Sequence, residues 1–235
     1  MKYRNLQPEL MDQPGLEEKE HIQALRGLAR INRISASARL LWRPIRRLAR
    51  QTGVSHFRVL DIASGGGDVA IDLWKRAAAD NVSLEIVGCD VSATAVAHAQ
   101  QAAKGVSPAI RFEQRDIFAD TPSEPFDIVT CSLFLHHLPK EKAVELLRLM
   151  SKLATQLVLV NDLARGYVAY VAAVIGCQSL TRSRIVHTDG PRSVAGAFTV
   201  AEMRNLIEQV PLTGATISRR WPYRFLLEWK ARHDV

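Results

Sequence analysis

Cysteine is scarce in this 235-residue chain, and its three copies stay apart: Cys89, Cys131 and Cys177 form no Cys-x-x-Cys pair. That spacing excludes a zinc ribbon and a disulfide framework. Three scattered thiols read as small buried apolar groups in a reducing compartment, so a cytoplasmic location is expected. Long apolar runs are missing too. The longest, residues 166–177 (GYVAYVAAVIGC), is too short to cross a bilayer and reads as a core helix. No repeat, low-complexity tract or linker interrupts the chain. Its 47% apolar and 23% charged residues are the balance of one globular domain. The opening MKYRNLQPELMDQPG is polar and broken by proline, which fits a loose arm rather than a signal peptide.

Acidic side chains are absent from one whole stretch. Residues 21–60 carry nine arginines and no Asp or Glu, more than the +7 net charge of the entire chain. Such an excess marks either a nucleic-acid or membrane-facing patch, or helices with solvated arginine faces. Ile22, Leu25, Leu28 and Ala29 make one apolar stripe, with Arg26, Arg30 and Arg33 beside it at helical spacing. The pattern favours solvated helices. A nucleic-acid partner is therefore not expected, no transmembrane segment is present, and peripheral contact with a membrane stays compatible with the basic face.

From Phe57 onward, strand-like and helix-like segments alternate. Strands are expected at 57–62, 84–89, 109–115, 126–132 and 156–162, with helices at 68–79, 92–104 and 139–153 between them. Alternation of this kind builds a parallel sheet covered on both faces. Right-handed crossovers then bring every strand's C-terminal end to one rim, where ligands bind. An apolar helix at about 163–179, a basic loop RSRIVHTDGPRS and a helix beginning at Thr199, with Glu202 completing a capping box, come next. Two last strands, 215–220 and 223–230, are joined by Trp221-Pro222 as an antiparallel hairpin. The expected fold is α/β and Rossmann-like: five parallel strands plus that hairpin.

The glycine loop RVLDIASGGGD (58–68) carries the chemistry. Gly65, Gly67 and Ala70 fit G-x-G-x-x-A, the dinucleotide pattern, but Asp61 precedes the loop and Asp68 follows it. Both carboxylates would repel a pyrophosphate, and no Gly-Lys-Ser/Thr makes a P-loop. The loop suits a nucleoside that has no phosphate and a positive charge, which describes S-adenosylmethionine. Glycines let backbone pass close to such a ligand. Asp61 would hold its ammonium, Asp90 at the end of the second strand its ribose hydroxyls, and Asp116 after the third its adenine amino group, with Ile117 on the ring. Ala63, Ser64, Gly65, Gly67, Val91, Ser132 and His137 complete the expected cofactor contacts.

On these residues the chain resembles the class I S-adenosylmethionine-dependent methyltransferases, over about residues 57–162. The family's first motif reads acid-x-Gly-x-Gly-x-Gly; here Ala63 replaces the first glycine, a departure shared with the ubiquinone/menaquinone C-methyltransferases. INRISASARLLWRPIRRL (31–48) is also similar to the helical N-terminal cap of that group. A lysine-proline-glycine-glycine turn before the fifth strand is replaced by SKLATQ. The tail after Asp162 looks more like the phenolic or polyketide-type methyltransferases of secondary metabolism. The resemblance thus implies an N-terminal arm and cap (1–56), a cofactor-binding methyltransferase domain (57–235), and within it an acceptor-pocket cap (163–210).

The implied reaction is methyl transfer to a small hydrophobic acceptor, phenolic, quinone-like or polyketide-like, with O-methylation favoured over C-methylation. A phenol, with a free pKa of about 10, then needs a base, and histidine is the natural one. His187, in the basic loop with Asp189 beside it, and His137, after the fourth strand, are the candidate catalytic residues. His136 reads as loop structure. His21, Asn32 and Arg33 are weaker acceptor contacts, and Tyr167 and Tyr170 wall residues with hydroxyls to offer. No acid pair suits a divalent ion, so no metal is expected. Two other readings are a nucleic-acid methyltransferase gripping with the arginines, and a non-catalytic S-adenosylmethionine binder. Against the former, CSLF stands where base-amine methylases carry Asn/Asp-Pro-Pro-aromatic.

Overall fold

The computed structural model describes residues 1–13 and 15–231; Pro14 and the last four positions of the 57–235 unit lie outside them. Two helices come first, α1 (Glu18–Ile34) and α2 (Ser37–Thr52). The alternating part follows as β1 (His56–Ile62), α3 (Asp68–Ala79), β2 (Ser83–Asp90), α4 (Ala93–Ala103), β3 (Ile110–Gln114), β4 (Phe126–Ser132), α5 (Lys140–Leu153) and β5 (Ala154–Leu163). Helices α6 (Tyr167–Leu180), α7 (Arg184–Gly196) and α8 (Val200–Ile207) precede β6 (Thr216–Arg220) and β7 (Arg224–Lys230). The strands form one mixed sheet, ordered β3-β2-β1-β4-β5-β7-β6. Neighbours are parallel from β3 to β5, while β7 runs antiparallel to both β5 and β6.

Strand periodicity sorts the core. Phe57 and Val59 of β1, with Leu157 and Leu159 of β5, face α2, α3 and α4; Leu60, Ile62, Val158 and Val160 face α5 and α8. Each fully buried Leu or Ile contributes about 1.5–3 kcal/mol. The chain starts in the middle of the sheet at β1, runs out to β3, and returns to β4. Strand order therefore reverses between β1 and β4, and their C-terminal ends open the crevice in which such sheets bind ligands.

The basic segment expected as a loop is helical. Helix α7 contains both Gly190 and Pro191. Ser183 caps its first turn by accepting from Val186 N, and Ile185 and Val186 bury one face against Ala24 of α1 and Cys177 of α6. Gly190 is needed where α7 crosses α6: a Cβ there would meet Cys177 Sγ at 2.3 Å. Tertiary packing has overridden two helix breakers, and the thiol fills the crossing. The N-terminal arm is not loose either. Asn5 N donates to Ala195 O (3.0 Å), and Leu10 N and Met11 N donate to the two oxygens of Asp189 (2.9 and 3.0 Å).

At the start of α3, Gly67 has φ +75°, and a Cβ there would meet the Phe112 ring at 2.5 Å and Ala99 at 2.9 Å. Its missing side chain makes room for Phe112 of β3 rather than for a ligand. Gly67→Ala should therefore cost 2 kcal/mol or more in urea denaturation, roughly the range for core overpacking plus left-handed strain. Adding Phe112→Leu should recover the part of that cost due to the ring and leave the Ala99 contact and the backbone part.

Candidate active site

A cavity of about 890 Å³ opens at the C-terminal rim. Its floor is the ends of β1, β2 and β4 with their following loops. Its roof is α1, α6 and the N-terminal arm: Leu25 and Leu28, then Ala169, Ala173 and Gly176, then Glu9, Met11 and Asp12. The small residues on α6 make this wall apolar. Asp61, Ala63, Ser64, Gly65, Asp90, Val91, Asp116, Ile117, Ser132 and His137 all line this space. Gly67 lies outside the lining, underneath the loop; its neighbour Gly66, unremarked in the sequence reading, lines it instead.

The loop is held by its own backbone and by β2. Ser64 N donates to Cys89 O (2.9 Å) and Gly67 N to Ser64 O (3.0 Å). Asp90 receives Gly65 N on one oxygen (2.8 Å) and Ser92 N on the other (2.9 Å). Gly65 has φ +52° with open space where a Cβ would sit, and Ala63 takes the same left-handed region at φ +54°. A glycine pattern at position 63 thus answers a backbone requirement that alanine meets under strain. Asp116 sits two residues beyond the end of β3, and its Oδ1 accepts from Phe118 N (2.9 Å).

Three carboxylates, Asp61, Asp68 and Asp90, share the cavity. Burial pushes Asp61 up to about 7, with the charges of Asp68 and Asp90 adding to the effect and a hydrogen bond from Thr130 (2.6 Å) opposing it. Burial also raises Asp68, against a hydrogen bond from Asn32 Nδ2 (3.1 Å). Among the described residues no basic side chain forms an ion pair with any of the three. Two buried polar atoms of lining residues, Ser132 Oγ and Arg224 Nε, also have no partner. Arg224 acts on Asp68 only at a distance, so the three carboxylates have no ion-pair partner in contact and two polar atoms of the lining are unused.

Histidines divide sharply. His187 sits on α7, outside the cavity lining, with Nε2 against Thr181 O at 3.0 Å; Asp189 holds the arm instead of orienting it. The helix thus sets His187, expected to meet the acceptor, outside the cavity lining. His136 and His137 both line the cavity. His136 Nδ1 lies 2.6 Å from Asp162 Oδ1, and Asp162 also accepts from the amides of His136 (3.0 Å) and Leu163 (2.6 Å). His137 Nδ1 lies 3.0 Å from Asp12 Oδ2. Burial works against its charge, yet Asp12 and Glu9 lift His137 to about 9. Glu9 itself is raised by burial, its Oε1 accepting from Ser193 (2.5 Å). His21 and Asn32 line the space as expected, whereas Arg33, Tyr167 and Tyr170 do not.

Sequence reasoning missed Glu9 and Asp12 of the arm, Asp162 and Arg224. Asp162 had a signal, since it ends a strand on the same rim as the other acids. The remaining three reach the cavity only through tertiary packing. Arg224 is fully buried, gives Nη1 to Ser37 Oγ (2.5 Å), and is lowered to about 10 by burial despite Asp162 and Asp68 nearby.

Residues 59–156 match a family described as a methyltransferase domain. With the strand order and the glycine loop, that match, over less than half of the chain, makes it similar to the class I, Rossmann-like methyltransferases. Over 90 residues the chain is 40% identical to the demethylmenaquinone methyltransferase of Deinococcus radiodurans, covering 37% of this chain and 36% of that protein. Over 133 residues it is 28% identical to the ubiquinone biosynthesis O-methyltransferase of Methylococcus capsulatus, covering 56% of this chain and 54% of that one. The matches thus span between a third and just over half of these curated relatives. Among solved structures, magnesium protoporphyrin IX methyltransferase from Synechocystis PCC 6803 with bound SAH superposes with TM-score 0.59 at 19% identity, over 92% of this chain and 100% of that one. Plantazolicin methyltransferase gives TM-score 0.62 at 15% identity, over 92% and 100%. At these identities the likeness is one of fold.

Asp61 has a consequence for the ligand-free protein. An acid whose pKa rises from 3.8 to about 7 on folding favours the folded state below pH 4, and this support is lost as pH climbs through 7. Asp61→Asn removes the dependence. The variant should gain stability over the parent with rising pH, up to about 4 kcal/mol near pH 8, in urea denaturation at pH 5, 6 and 8.

Proposed function

We propose that this protein transfers a methyl group from S-adenosylmethionine to a hydroxyl of a small, flat, hydrophobic acceptor of phenolic or quinone-like type. The observation that carries the reading is the convergence of unpaired carboxylates from successive strand ends on one cavity whose opposite wall is apolar. The chain's own groups fit the cofactor. Asp61 and Asp68 supply the negative charge that an ammonium and a sulfonium require. Asp90 keeps lone pairs free beyond its two amide contacts for ribose hydroxyls, and Asp116 does so for an adenine amino group lying on Ile117. When bound, the cofactor supplies an activated methyl on sulfur and departs as the neutral thioether.

The protein's task is then alignment, exclusion of water and removal of one proton. Helices α6 and α7 act as the acceptor cap; α8, although inside the 163–210 segment, packs on α5 and belongs to the core. The alanine wall of α6 accepts a planar ring, and the two histidines after β4 stand where the acceptor hydroxyl must approach. The names of the quinone-methylating relatives agree with such an acceptor. His136, oriented by Asp162, takes over the place expected of His187.

Nucleic-acid methylation is less well supported. Arg46 and Arg47 of α2 pair with Asp80 and Glu228, so part of the arginine excess is spent on the protein itself. A non-catalytic binder would hold the cofactor and never turn it over.

Two measurements test the reading. In calorimetry, Asp90→Asn and Asp61→Asn should each weaken cofactor binding at least tenfold. Binding to the parent should tighten between pH 6 and 8 as Asp61 ionises, a trend that Asp61→Asn abolishes. Parent-like binding by both variants would refute the site. With labelled cofactor, phenols or lipid quinones should accept the methyl group; transfer to tRNA or protein alone would refute the acceptor class.

A further inference from the structure

Glu9, His136 and His137, the last of them also an expected cofactor contact, form a group at one end of the cavity whose geometry is specific. Each imidazole commits Nδ1 to a separate carboxylate, His136 to Asp162 (2.6 Å) and His137 to Asp12 (3.0 Å). A carboxylate at Nδ1 places one proton there, so that Nε2 becomes a ligand once a cation displaces the proton it carries in the imidazolium form. Both Nε2 atoms face one residue: Glu9 Oε1 lies 3.8 Å from His136 Nε2, and Glu9 Oε2 lies 3.8 Å from His137 Nε2. Those distances are beyond hydrogen-bond reach. The three ligand atoms lie within 4.8 Å of one another.

We propose that Glu9, His136 and His137 bind a divalent transition-metal cation of the zinc type, facing the acceptor half of the cavity. This deepens the methyltransferase reading and rests on it, with His136 serving as a ligand in place of proton acceptor. A tetrahedral ion with bonds of about 2.0–2.2 Å needs ligand atoms about 3.4 Å apart; each imidazole lies 3.8 Å from its nearer Glu9 oxygen and the three ligand atoms fall within 4.8 Å, so an ion must draw them together by up to about an ångström. Two imidazoles and a carboxylate select zinc, iron or manganese over magnesium or calcium. Asp162 and Asp12 are the outer carboxylates that orient metal-bound histidines. Three protein ligands leave a position open, and all three residues line the cavity.

The open position would hold the acceptor's oxygen. Its O–H bond breaks, the proton passes to water, and the electron pair stays on oxygen to form the new bond to the methyl carbon. The carbon–sulfur bond breaks with its pair going to sulfur. The ion makes the first of these changes accessible at neutral pH.

The test uses the full-length protein, free of any affinity tag and stripped by chelator. Equilibrium dialysis against Zn²⁺, Mn²⁺ and Mg²⁺ with elemental analysis should give about one equivalent of Zn²⁺ and little Mg²⁺. Co²⁺ should develop a visible absorption band. Glu9→Gln and His137→Ala should each lower Zn²⁺ affinity at least tenfold, and Asp162→Asn roughly 10–100-fold. Thermal melts verify folding, and Glu9→Gln, on the arm, serves if a histidine variant does not fold. No stoichiometric uptake of any of these ions, or uptake indifferent to all three changes, overturns the site. Calorimetry with S-adenosylhomocysteine separates the two claims: cofactor binding without metal uptake sinks only the metal, and uptake without cofactor binding sinks only the methyltransferase reading.

Discussion

A carboxylate taken out of water must find donors or a positive charge, and the floor of this molecule is arranged around that demand. Asp90 takes two backbone amides, and in doing so ties the glycine loop to the start of α4. Asp162 takes two amides and an imidazole, fastening the end of β4 to the end of β5. Asp61 has a single hydroxyl, and Asp68 a single amide. Asp162 and Asp90 brace the scaffold, Asp90 with lone pairs to spare, while Asp61 and Asp68 are left with fewer partners in a buried place.

Much of this was legible in the sequence for a physical reason. Strand and helix periodicities are local, and a parallel sheet brings its C-terminal ends together whatever else the chain does. Asp61, Asp90 and Asp116 were therefore placed on one rim from their position after apolar runs, and Thr199 with Glu202 forms its capping box as read. What failed was non-local. Gly190 and Pro191 argue for a loop in any short window, yet contact with α6 and α1 makes the segment helical. That one change moved His187 away from the cavity and gave Asp189 to the arm.

The arm is the larger lesson. Its prolines and polar residues carry no periodicity, so nothing in it announces that Glu9 and Asp12 would complete a histidine cluster more than a hundred residues away. Its contacts are with α7, whose helix no short window announces, and with the histidine turn after β4, so both errors are of the same non-local kind. The acceptor side of the cavity is built from segments without local signal, whereas the cofactor side is built from strand ends.

Phe112 adds a mechanical link. It stands on β3 at the margin of the sheet, and its ring occupies the hollows above Gly67 and Gly88. The nucleoside-side loop therefore rests on an aromatic wedge driven in from the outermost strand. Disturbance of that border would travel inward as a change in the pitch of the loop, so the periphery of the sheet is part of the machinery that shapes its centre.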